Sequence, residues 1–140
     1  MKPPSIIHAY SKERKKYLLP LSDLHIGAPT CDLEKIKKMI AWAIENNAWV
    51  LGLGDIIENA TRYSVGSGVY EQIISPQDQQ DLAVELLRPL AKKRLLLGLL
   101  VGNHEWRTAK ESGNDLTKNI CDILGVPYLG FSIFLDALVK

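Results

Sequence analysis

Cysteine, histidine, net charge and long apolar runs are all scarce in this sequence, and each shortage excludes something. Two cysteines, Cys31 and Cys121, with no C-x-x-C spacing, are too few for a disulfide framework. Both thiols are expected to pack as small apolar groups in a reducing compartment. Lys and Arg number 17 against 16 Asp and Glu, a net charge of +1. That balance excludes a dedicated polybasic nucleic-acid binder and leaves room only for a local cationic patch. The most apolar run, Leu95 to Val101, is far shorter than the ~20 residues of a spanning helix. The opening, Met1 to Tyr10, has two prolines and no apolar core, unlike a signal peptide. No membrane role and a cytoplasmic location are therefore expected.

What is present is ordinary for a globular chain: 140 residues, 46% hydrophobic and 24% charged, enough for one domain and unlike a disordered or coiled-coil sequence. Residues 1–16, with Pro3-Pro4 and the charged stretch Lys12 to Lys16, read as an exposed lead-in. Tyr17–Ser22 reads as a first strand, and Pro20 favours an edge position because proline lacks a ladder donor. Asp32–Asn47 repeats Leu33, Ile36, Ile40, Ala43 and Ile44 at helical spacing, with Thr30 or Asp32 as cap. Trp49–Leu53 reads as a buried strand. Ser75-Pro76-Gln77-Asp78 opens a helix to about Lys93, with Leu82, Leu86, Leu87 and Leu90 on one face and Pro89 as a kink. Arg94–Val101 is a third strand, Asn114–Leu124 a third helix and Phe131–Val139 a last strand. Strands alternating with amphipathic helices predict an α/β fold with a largely parallel sheet.

Three polar clusters interrupt this pattern: Asp23-Leu24-His25, Gly54-Asp55 and Gly102-Asn103-His104-Glu105. Each follows a predicted strand, and open α/β sheets bind ligands at the carboxyl ends of their strands. The intervals, 32 residues from Asp23 to Asp55 and 48 from Asp55 to Asn103, each leave room for a helical crossover. In extended chain Asp23 and His25, two apart, would face one way. Carboxylates mixed with imidazole suit Mn, Fe or Zn. Asp55 has two oxygens with which to bridge two ions, and Asn103 offers a neutral carbonyl. His104, next in sequence, is expected to point elsewhere, toward substrate. Taken singly, each of these residues reads more readily as a turn residue or a helix cap than as a ligand.

Together, in this order, the three clusters resemble the first three motifs of the calcineurin-like metallophosphoesterases. The resemblance spans about Leu18 to Lys140. It implies a β-sandwich flanked by helices, of which this chain carries the N-terminal βαβαβ part, and a centre of two divalent metal ions, Mn favoured. It implies Asp23 and His25 as ligands of one ion, Asp55 as the bridge and Asn103 as a ligand of the other. His104 would act on the leaving-group oxygen, with Glu105 orienting it. The implied activity is metal-assisted hydrolysis of a phosphate ester, as a phosphodiesterase or a DNA nuclease-like enzyme.

The shortage of histidine returns here. The family continues with Gly-His and Gly-His-x-His motifs, whereas this chain has only His8, His25 and His104, and His8 reads as a surface residue. The single domain, residues 1–140, is thus read as truncated at its C-terminal end, with a homo-oligomer or a second chain completing it. The rival reading is a non-catalytic metal-binding remnant or an interaction module. Arg62, Tyr63 and Tyr70 in the loop Asn59–Ile74 either contact a phosphate or base or pack a surface loop. Arg107 is a further phosphate candidate, Trp42 and Trp49 are expected in the core, and Trp106 at the site rim.

Overall fold

The helices start where side-chain oxygens meet orphan amides. Asp32 accepts from the Lys35 amide at 3.0 Å and caps α1, Leu33–Glu45. Ser75 accepts from the Asp78 amide at 3.2 Å and caps α2, Pro76–Lys92, with Pro76 in its first turn. Such caps satisfy amides that would otherwise lack partners. The computed structural model describes residues 3–58 and 75–140. Along these residues the strands are β1 Ser5–Ser11, β2 Leu18–Leu21, β3 Trp49–Gly52, β4 Leu96–Leu99 and β5 Ile133–Val139. Two further helices are α3 Asn103–Ser112 and α4 Leu116–Leu124. The fold is mixed α/β, and every strand pair is parallel.

β2, β3 and β4 form one sheet in that order, with β3 central and buried along its length. α1 connects β2 to β3 and α2 connects β3 to β4, the crossovers that parallel neighbours require. Ile36, Ile40 and Ala43 of α1 join Leu21, Val50, Leu87, Leu90, Leu96 and Leu99 in one core. Pro20 does lie in an edge strand. The bonds from Trp49 N–H to the Tyr17 carbonyl and from Leu53 N–H to the Leu21 carbonyl turn the odd-numbered residues of β2 toward β3. The missing N–H of Pro20 therefore lies on the open edge, where it blunts strand addition.

Several expectations are corrected. Residues 5–11 are not a lead-in but β1, paired with β5 in a second, two-stranded sheet from Ser5↔Ile133 to Ser11↔Val139. The partner strand is over 120 residues away, so no local pattern announces it. His8 lies in this strand, exposed and 3.0 Å from Asp136, and is a surface residue as read. On α2 the buried residues are Gln79, Gln80, Ala83, Val84, Leu87 and Leu90, while Leu82 and Leu86 are only partly buried against the core. α2 packs against α1, α4 and β4. Pro89 does not break α2, which continues to Lys92. Trp49 is buried but Trp42 is 41% exposed, packed edge-on against Tyr17 at 5.2 Å. No helix among the described residues is long and apolar enough to cross a membrane.

An exposed proline inside a helix removes a hydrogen bond without adding core contact. Replacing Pro89 with Ala is expected to raise the unfolding free energy by about 1–3 kcal/mol, read from urea denaturation. An unchanged or lower midpoint would mean that the ring contributes packing that the structure does not show.

Candidate metal centre

β2, β3 and β4 deliver the three polar clusters to one edge. Beyond the strands, pairing continues through the loops. The Asp23 amide donates to the Gly54 carbonyl at 3.2 Å, the His25 amide to the Asp55 carbonyl at 3.1 Å and the Ile26 amide to the Ile56 carbonyl at 3.0 Å. Three residues here, Asp23, His25 and Asp55, have φ of 56°, 47° and 50°. Non-glycine residues seldom occupy this left-handed region, and such strain concentrates where side chains are aimed at a site. The expected extended geometry of Asp23-Leu24-His25 is thus replaced by a curled one. Convergence still results, with Asp23 Oδ1 3.6 Å from His25 Nε2.

Two glycines allow the loops to close. A Cβ on Gly102 would clash with the Asp55 nitrogen and its Oδ1. A Cβ on Gly54, at φ +105°, would lie 2.7 Å from the Gly102 Cα. This backbone contact brings Asp55 against the first turn of α3, where its Oδ1 accepts from the His104 amide at 2.9 Å. A carboxylate at a helix N-terminus also meets the positive end of the helix dipole.

Glu105 is almost fully buried. Its Oε1 accepts from the amides of Ile56 and Ile57, and its Oε2 from those of Asp55 and Gly102. Burial pushes its carboxyl above the usual range, and the amide donors oppose that push. The orienting role expected for Glu105 takes a different form: its carboxylate holds the backbone on which Asp55 and His104 are mounted.

His25 and His104 stand edge to face, ring centroids 4.6 Å apart. Nδ1 of His25 is 3.0 Å from Glu58 Oε2, and Nδ1 of His104 meets the Glu58 backbone carbonyl. With Nδ1–H donated in each case, the Nε2 atoms carry the lone pairs. One ligand atom each from His25, Asp55 and His104 lies within 4.8 Å of the others, a set able to hold a metal ion. His104 therefore lies together with His25 and Asp55, within reach of a molecule bound there. Asp23 sits at the rim with its side chain 68% exposed, and Ser22 donates to its Oδ2 at 2.6 Å. Asn103 is exposed at the start of α3. Arg107 lies one turn further along that helix. Arg62, Tyr63 and Tyr70 fall outside the described residues.

Glu58 was not singled out in the sequence. Its signal is faint: an acidic residue three past Asp55, beyond the apolar pair Ile56-Ile57. The helix α3 was also unread, although Gly102 and Glu105 at N-cap and N3 spacing and Gly113 at φ 73° mark its two ends. Cys31 is only partly buried and lines the cavity beside Asp23 and His25. Cys121 is core, its thiol pushed up to about 12 mainly by burial. Comparison with protein-family models, curated proteins and solved structures found no match to this chain.

Replacing Glu105 with Gln keeps the shape but turns an amide NH₂ toward backbone N–H donors. A loss of about 2–4 kcal/mol in unfolding free energy is expected, with Gly102→Ala at least as harmful because its clash is with backbone. Chemical denaturation of both variants measures this. A near-neutral Glu105→Gln would show that the carboxylate does not hold the loops together.

Proposed function

We propose that this chain is a metal-dependent phosphoesterase, a phosphodiesterase or nuclease-like hydrolase built on the calcineurin-like metallophosphoesterase fold. The observation that carries the reading is the meeting of His25, Asp55 and His104 at the carboxyl edge of a parallel sheet. The donor chemistry fits a divalent cation: carboxylate and imidazole suit Mn, Fe or Zn, with Mn favoured. Glu58 behind His25 is the kind of carboxylate partner that fixes a ligating imidazole. Asp23 beside His25 and Asn103 beside His104 are the candidates to extend the centre to two ions. When bound, the metal would polarise the phosphoryl oxygens and lower the pKa of a water.

The protein's own contributions follow from the site. His25 and Asp55 hold the cation, and Asp55 is kept in place by the His104 amide. His104 serves the ester's leaving oxygen. Its Nδ1 is held by the Glu58 carbonyl, which fixes the ring while its other edge meets that oxygen. Arg107, one turn along α3, is the further candidate for the phosphate. The partner is a phosphate-ester substrate, nucleic acid included, and a second copy or another chain would supply the remaining ligands. The two free cysteines accord with a cytoplasmic setting.

Asp55→Asn and His104→Ala separate these roles. Calorimetric titration with Mn²⁺ should show affinity lost in Asp55→Asn and retained in His104→Ala. Both should lose Mn²⁺-dependent hydrolysis of bis-p-nitrophenyl phosphate by about 100-fold or more. Hydrolysis surviving both changes would overturn the assignment. A folded protein that binds Mn²⁺ without turnover would favour a non-catalytic metal-binding module.

A further inference from the structure

A surface of mixed polarity leads away from the metal centre along α1. A cavity of about 310 Å³ begins at Ser22, Asp23 and His25 and extends past Cys31 to Lys35 and Met39. A second, of about 360 Å³, is lined by Leu19, Lys35, Lys38, Met39 and Trp42. Lys35 and Met39 line both, which sets the two cavities side by side as a groove along α1 between the metal centre and Trp42. Residues 35, 38, 39 and 42 recur at three and four, which makes them a single helix face. From Lys35 to Trp42 that face is about 10 Å long.

The groove has two chemistries. Its floor is Leu19, Met39 and the half-exposed indole of Trp42, a surface for stacking a planar ring. Its rim is two exposed lysines, and neither forms an ion pair with a carboxylate among the described residues. Two carboxylates also line the cavity nearer the metal centre, Asp23 and Asp32, and Asp32 accepts from the Lys35 amide as the cap of α1. Aromatic platforms flanked by cations bind single-stranded nucleic acid, because bases stack and lysines meet phosphates. A peptide strand is disfavoured at the same edge, since Pro20 removes a donor there.

We infer that this groove is a binding track for a single strand of nucleic acid, leading one of its phosphodiesters to the metal centre. The inference deepens the phosphoesterase reading and rests on it for the fate of the strand. Binding itself does not. Lys35 and Lys38 hold backbone phosphates, and Trp42 stacks a base on the side away from His25. The chain's near-zero net charge makes these two lysines the local patch on which binding depends.

The test is fluorescence anisotropy of a labelled oligothymidylate in EDTA at low salt, which removes the metal from the measurement. The wild type should bind with a dissociation constant below about 100 µM, weakening as salt rises. Lys35→Glu combined with Lys38→Glu, both exposed, should weaken binding at least tenfold, and Trp42→Ala should do so at low and high salt alike. Circular dichroism confirms that each variant is folded. Equal binding by the lysine variant, or none by folded wild type, would overturn the inference. So would thymidine monophosphate competing as well as the strand, because the site would then be one for free nucleotides. If the strand binds in this way but Mn²⁺ supports no hydrolysis, the groove stands and the phosphoesterase reading fails.

Discussion

The site depends on one buried carboxylate. Glu105 lies among amides from two loops that are far apart in sequence: Asp55, Ile56 and Ile57 after β3, and Gly102 after β4. A buried charge is costly unless hydrogen bonds replace its water, and here the backbone supplies them. The same bonds satisfy amides that the sheet has left behind at its edge. Removing the charge would leave several donors buried without partners, and the loops that carry Asp55 and His104 would lose their common anchor.

From that anchor the rest of the edge follows. Gly54 and Gly102 let the two loops touch, and their contact sets Asp55 against the first turn of α3. The loop after β2 is then drawn in by its own bonds to Gly54, Asp55 and Ile56, which position His25 and Asp23. Glu58 closes the arrangement from behind, its carboxylate on His25 and its carbonyl on His104. The left-handed backbone at Asp23, His25 and Asp55 is the local cost of this convergence, sustained by the paired strands beneath.

Much of this was legible in residue order because it rests on local signals. The caps at Asp32 and Ser75, the apolar stripe of α1 and the aliphatic strands β3 and β4 are read from neighbours a few positions apart. The convergence of the three polar clusters followed from parallel topology, which needs only the alternation of strands and helices. What was not legible depends on distant or backbone partners. β1 pairs with a strand at the other end of the chain. Glu105 acts on amides, which have no letter in a sequence, so its role was assigned to the nearest named side chain. Glu58 is bound to its task by a histidine 33 positions earlier. Asp23 and His25 converge, but through curled backbone and not through the extended geometry that their spacing suggested.

The central claim is that His25 and Asp55 hold a divalent ion with His104 beside it. Anomalous diffraction at the manganese edge from Mn²⁺-soaked crystals tests it most directly. A strong peak is expected at about 2.0–2.3 Å from His25 Nε2 and an Asp55 oxygen, lost in Asp55→Asn. A peak elsewhere on the surface, or none in crystals of folded protein at saturating Mn²⁺, would contradict it.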